Sequence, residues 1–438
     1  MKFMLPGMFV AFHGRILTMA CLNALVRSKR GVVGVTLSYL LALGCSTVPE
    51  RRPDSSDGGQ STDGAAGGND GLGDNDGPGG GDAHDGGGST AGGEQVGGEP
   101  FGGSPGTGGS PISGDVLRAG TSTSKPGVAC VGTALNPGML DSNQAYRAIA
   151  GSEFNCAVAE YGMKWDSMEP QQGTFDFSLG DQVVAFARQH DMRLKGHALV
   201  WHGATPDWVL GVSSPDALRA VIRDYVTAVV THFKGDVEAW DVVNEAISDS
   251  GGTFRNTHFY KVLGTDLFRV AFDAARAADP DVQLLYNDYG GEGLGVKSDA
   301  IYALVKNLKE SGVPIDGIGL QSHLTHTGVP SKQLEDNMKR LAALGLSINL
   351  SEIDVRMGMA QGSLDEKLAR QAEIYRQLAS ACANEPACTG LFVWGFTDAH
   401  SWVDGTFGGT NLPCLLDENL SRKPAYEGFR AGMTELNR

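Results

Sequence analysis

A (β/α)8 barrel is the fold this sequence predicts, and three observations predict it. Eight short apolar, β-branched runs alternate with amphipathic helical stretches. They fill the roughly 320 residues after about Ser110, the size of one such α/β domain. Each run opens apolar and closes on carboxylates, amides or imidazoles, and barrel enzymes hold their chemistry at that end of their strands. No Gly-rich dinucleotide fingerprint follows the first run, which counts against an open doubly wound sheet.

The chain has 438 residues, and its first quarter is of a different kind. Arg27-Ser28-Lys29-Arg30 followed by the apolar stretch 31–44 reads as a signal segment over 1–44, too short to span a membrane. Leu41-Ala42-Leu43-Gly44-Cys45 resembles a bacterial lipobox, with Ala42 where Leu is preferred, so a lipid on Cys45 is expected. Of 62 glycines, 23 fall between Gly58 and Gly109 with almost nothing apolar beside them. Such chain cannot offset its ordering entropy, so 45–114 reads as a disordered Gly/Asp/Ser-rich linker, and 115–438 as the barrel. Strands are predicted at 129–135, 155–160, 193–201, 238–245, 282–288, 317–323, 347–355 and 391–397. Helices are predicted at 217–233, 258–278, 301–311, 331–344 and 364–383, where apolar residues recur every three or four positions.

Fifty-one acidic against 35 basic residues leave a net charge of -16, which argues against nucleic acid as a partner. Seven cysteines include no CxxC, and no HExxH or zinc-spaced Cys/His cluster occurs, so no metal and no cofactor is expected. What remains at the strand ends is Glu160, His197, Asn244-Glu245, Asn287-Asp288, Gln321, His323, Glu352, Asp354 and Asp398. Carboxylates, amides and imidazoles ending most strands are hard to explain as packing. Without metal ligands, the chemistry open to such a cleft is acid/base and nucleophilic work by carboxylates.

In chain order the segments are Gly162-Met163-Lys164-Trp165, Glu169-Pro170-Gln171-Gln172-Gly173, Gly196-His197-Ala198-Leu199-Val200-Trp201-His202, and Trp240-Asp241-Val242-Val243-Asn244-Glu245-Ala246. Asn287-Asp288-Tyr289, Ile315-Asp316-Gly317-Ile318-Gly319 with Gln321 and His323, Ser351-Glu352-Ile353-Asp354, Val393-Trp394-Gly395, Ser401-Trp402 and Lys423-Pro424-Ala425-Tyr426 follow. Together they resemble glycoside hydrolase family 10, the retaining endo-β-1,4-xylanases, from about Pro126 to Asn437. The resemblance implies Glu245 as general acid/base and Glu352 as nucleophile, two carboxyls that retaining hydrolysis sets about 5–5.5 Å apart. It further implies that Asn244 binds the sugar 2-hydroxyl, that His323 holds Glu352, and that Asp354 orients His323. Glu160, Lys164, His197 and Gln321 are implied to bind sugar hydroxyls, and Trp201, Trp394 and Trp402 to stack on sugar rings. Trp165 and Trp240 read as packing.

The implied substrates are xylan and xylo-oligosaccharides, with a broader β-1,4-glycanase as the alternative. The chain is expected to act as a monomer, exported as a surface or outer-membrane lipoprotein or secreted. One departure stands out: the family has Asn where this chain has Tyr161, which bears on the second glycone subsite. Family members often join the equivalents of Cys382 and Cys388, leaving Cys130, Cys156 and Cys414, of which at least one is expected to be a free buried thiol.

Overall fold

The computed structural model describes residues 116–121, 128–250 and 252–435, with the backbone of two short pairings, Ala11–Phe12 with Arg15–Ile16 and Val26–Ser28 with Gly31–Val33. Apart from those pairings, the expected signal segment, Cys45 of the expected lipobox and the expected linker lie outside the described residues. Contacts divide the chain into two units, Met1–Leu72 and Gly73–Arg438, and the barrel lies within the second.

Eight parallel strands form it: β1 (Cys130–Leu135), β2 (Cys156–Ala159), β3 (Arg193–Trp201), β4 (Val237–Asn244), β5 (Gln283–Asp288), β6 (Gly317–Leu320), β7 (Ser347–Arg356) and β8 (Cys388–Val393). Each pairs with its successor, and β8 pairs with β1, so no edge is left. Most strand residues are buried, as expected where helices cover a parallel sheet. Register then sets the site: Trp201 lies beside Asn244, Asn244 beside Asn287, and Asn287 beside Gly319. Gly319 must be a glycine, because a Cβ there would meet Asn287 Oδ1 at 1.9 Å and Ser351 Oγ at 2.8 Å.

Two predicted strands are corrected. The run at 317–323 breaks at Ser322, whose φ of 64° turns the chain, and His323–Thr325 resumes as a short separate pairing with β7. The last strand begins at Cys388 rather than 391 and ends before Gly395, whose φ of 79° no strand adopts. Cys388-Thr389-Gly390 carries no β-branched apolar run, which hid its start. The helix predicted at 258–278 is two helices, His258–Leu263 and Asp266–Ala278, parted at Gly264 with φ 57°.

The helix Leu364–Asn384 starts on a capping box, with Ser363 Oγ accepting from Glu366 N and Glu366 Oε2 from Ser363 N. The closing helix Pro424–Thr434 packs so closely on it that a Cβ at Gly428 would stand 2.2 Å from Ala372 O. Glu153 ties both ends of the barrel together, accepting from Leu117 N and the Tyr426 hydroxyl and pairing with Arg422 at 2.7 Å. Cys382 and Cys388 are joined, as the resemblance implied. Cys130 and Cys156 are also joined, linking β1 to β2, and Cys414 is a buried free thiol.

Candidate active site

The strand ends converge on two glutamates. Glu245 follows β4 in the left-handed region, φ 58°, and its N–H donates to Asn287 O at 2.8 Å. A non-glycine residue there is held by its surroundings, as residues at functional sites often are. Its half-buried carboxylate accepts from Trp201 Nε1 at 2.8 Å, Gln321 Nε2 at 3.1 Å and Asn244 Nδ2 at 3.2 Å. Glu352 lies inside β7, only 4 % exposed. It accepts from Asn287 Nδ2 at 2.5 Å, with His323 Nε2 at 3.3 Å.

Amides join the two carboxylates. Gln321 Nε2 donates to Glu245 Oε1 and to Asn244 Oδ1, and Asn287 Nδ2 donates to Asn244 Oδ1 and to Glu352 Oε1. Ser351 Oγ donates to Asn287 Oδ1 at 2.6 Å, fixing which way that amide faces.

Two histidine–aspartate pairs flank Glu352. His197 Nδ1 is 2.9 Å from Asp241 Oδ2 and 3.8 Å from Glu352 Oε1, with Lys195 Nζ 2.8 Å from the same Asp241 oxygen. His323 Nδ1 is 2.7 Å from Asp354 Oδ2, which also accepts from Trp402 Nε1 at 2.9 Å. Burial alone would push the Glu352 carboxyl up. The charge of His197, the hydrogen bond and charge of His323, and Lys195 outweigh it and hold the carboxyl at about 2. For His323, burial pulls down, but Asp354 and then Glu352 raise it to about 10. The ring is therefore an imidazolium at neutral pH, beside an ionised Glu352.

The depressed Glu352 contributes stability above its unfolded value, lost as pH falls toward about 2. The raised His323 contributes stability below its unfolded value, lost as pH rises toward about 10. NMR of ring-labelled histidine should show His323 protonated until about pH 10, and Asp354→Asn should bring its titration down toward the ordinary value near 6.5. A wild-type His323 titrating near 6.5 would refute this charge arrangement.

Of the residues singled out in the sequence, Asn244, Glu245, Gln321, His323, Glu352, Asp354, His197, Trp201 and Trp402 are brought together by these contacts. Lys164 joins them, its Nζ 4.9 Å above the Trp201 ring. Trp394 is 7 % exposed and meets His197 edge to face at 5.0 Å, so it floors the cleft instead of standing open in it. Glu160, half-buried, closes β2, its N–H donating to Leu135 O. The Tyr161 hydroxyl accepts from Gly138 N at 3.3 Å. Trp165 and Trp240 are packing, each 1 % exposed. Asp398 belongs to a buried pair with Lys423 at 2.7 Å and not to the glutamate cluster.

Sequence reading gave no role to Asn287, Lys195 or Asp241. Lys195 had a signal: a lysine two positions before His197 on a strand shares its face and needs a buried partner. Among the described residues one set, His197, Asp241 and Glu352, has the ligand spacing of a metal site. Lys195 already sets a positive charge against Asp241 there.

The family model described as glycosyl hydrolase family 10 matches residues 121–431. Endo-1,4-beta-xylanase B of Thermotoga neapolitana is 41% identical over 297 residues, 68% of this chain and 85% of its own. Endo-1,4-beta-xylanase A of Phanerodontia chrysosporium is 42% identical over 324 residues, 72% of this chain and 78% of its own. Among solved structures, xylanase 10B from Thermotoga maritima superposes with a TM-score of 0.69 at 39% identity, covering 73% of this chain and 98% of that one. Xylanase 10B from Thermotoga petrophila, solved with xylobiose, gives the same TM-score and identity, covering 73% and 97%.

Proposed function

The chain belongs to glycosyl hydrolase family 10, and from that premise we propose that it cleaves internal β-1,4-xylosidic bonds of xylan with net retention, Glu245 serving as acid/base and Glu352 as nucleophile. One observation carries the assignment. Glu352 is buried yet held ionised by His197, His323 and Lys195, whereas the half-exposed Glu245 carboxylate is met, among the described residues, by the neutral donors Trp201, Gln321 and Asn244, Arg255 reaching only its main-chain oxygen.

Glu245 gives its proton to the leaving glycosidic oxygen as Glu352 attacks the anomeric carbon, forming a glycosyl ester and releasing the aglycone. Glu245, now a carboxylate, takes a proton from water as the hydroxide equivalent displaces Glu352, and both residues return to their starting states. Asn244, fixed by Asn287 and Gln321, hydrogen-bonds the sugar 2-hydroxyl, a contact that strengthens as positive charge develops on the ring. The His323 imidazolium holds the Glu352 carboxylate in line. Glu160, Lys164, His197 and Gln321 bind hydroxyls on the glycone side, and Trp201, Trp394 and Trp402 border the sugar faces. Curated relatives carry the name endo-1,4-beta-xylanase, and a structural neighbour holds xylobiose, which supports xylan as substrate.

Reducing-sugar release by the full chain should be far faster on xylan than on carboxymethylcellulose or mannan, and proton NMR should show the β anomer first. Comparable rates on all three polymers would move the reading to a broader β-1,4-glycanase. An α anomer formed first would mean inversion and remove the nucleophile role from Glu352.

A further inference from the structure

Glu352, Asp354 and Arg356 alternate along β7, so one face of the strand runs from the buried nucleophile out to the cleft rim. The first two are tied into the site, and Arg356 is not. Its guanidinium makes no ion pair or side-chain hydrogen bond among the described residues, although it is half-buried. Arg255, Arg276 and Arg340, at comparable burial, each meet a carboxylate. Asp354, two residues earlier, has its Oδ2 occupied by His323 and Trp402.

Arg356 packs instead on an aromatic ring. Its guanidinium carbon lies 3.7 Å from the centroid of Phe407, which is 51 % exposed. Phe407 in turn stands 5.7 Å from Trp402, whose ring meets His323 at 4.9 Å. Stacking on Phe407 fixes the guanidinium plane and leaves its N–H edges unpaired, the fork that takes a carboxylate bidentately. Burial pulls the Arg356 pKa down and the charge of Asp354 offsets this only in part, so the cation is partly desolvated without an ion pair of its own among the described residues. In a chain of net charge -16, a guanidinium without an ion pair among the described residues stands out at the cleft rim.

We propose that Arg356 and Phe407 form a recognition site for a carboxylate borne on the substrate, a uronic acid substituent whose acid group pairs with the guanidinium and whose sugar ring lies against Phe407. The proposal rests on the xylan-cleaving reading above, because it places the substituent beside the Trp402 end of that cleft.

The test compares three substrates with the full-length chain: an unsubstituted xylo-oligosaccharide, the same backbone carrying one glucuronic acid, and that compound with its carboxyl reduced to the alcohol. The wild type should favour the acid over its reduced form in kcat/KM by about five- to tenfold at low salt, the scale of one solvent-accessible charge-assisted pair. Arg356→Met should bring that ratio to about one, Arg356→Lys should keep part of it, and half-molar sodium chloride should erode it. No preference in the wild type, or the same preference in Arg356→Met, would overturn the proposal. A variant that slows all three substrates alike has disturbed the cleft, and because its ratio is then unchanged it also counts against the site. If the unsubstituted xylo-oligosaccharide is not cleaved at all, the xylanase reading fails on its own. Calorimetric binding of the acid and reduced compounds to wild type and Arg356→Met then still decides the site.

Discussion

Glu352→Ala is expected to abolish turnover of every glycoside, a loss on the order of 10⁶-fold, as when a nucleophile is removed elsewhere. No other group among the described residues is placed to form the ester. His197 and His323 approach Glu352 itself and are its partners, not its substitutes. The substitution also opens a small space on the α face and leaves His323 facing Asp354 alone. Azide can enter that space and attack an aryl xyloside directly, and the product should be the α-glycosyl azide. Recovery of the β azide from this variant would place the nucleophile elsewhere.

Glu245→Ala should behave differently, and the difference separates the two carboxyls. Loss of the proton donor should slow xylan hydrolysis by about 10²–10⁴-fold, the usual range for a general acid. Aryl glycosides with acidic phenols need little protonation, so their first step should survive and the ester should accumulate. The signature is a burst of phenol equal to the enzyme present, then slow turnover because nothing activates water. Azide needs no base, so it should restore steady turnover and give the β-glycosyl azide. A burst from Glu352→Ala with an α azide from Glu245→Ala would reverse the roles.

The sequence carried the architecture because parallel strands buried on both faces leave unbroken apolar runs, and their polar ends stand out against them. Both glutamates were legible through the segments around them. Asn287 was visible as a strand-end amide, but its role depends on partners 43 and 65 residues away, which no local spacing encodes. The Lys195–Asp241–His197 cluster is likewise assembled across two strands. Arg356 lies outside all of those segments, and only its guanidinium's lack of an ion pair among the described residues, a three-dimensional fact, draws notice. Strand ends were misjudged where a left-handed residue, Ser322 or Gly395, interrupts the run, because such a backbone state is only weakly written in residue type. The Cys130–Cys156 bridge was open for a similar reason: it joins neighbouring strands through a register unknown until the barrel closes.

The amides between the two glutamates have a consequence for proton traffic. From Glu245 through Gln321, Asn244 and Asn287 to Glu352, the carboxylates and the Asn244 carbonyl accept, and only amide N–H groups donate. An amide N–H orients and polarises, but it does not release its proton in the accessible pH range and so cannot relay one. The link therefore conducts charge influence while insulating the two proton inventories from each other. In the proposed mechanism, Glu352 would be esterified and freed without ever drawing on the proton that Glu245 gives away, and that proton would have to come back from the water that ends the cycle.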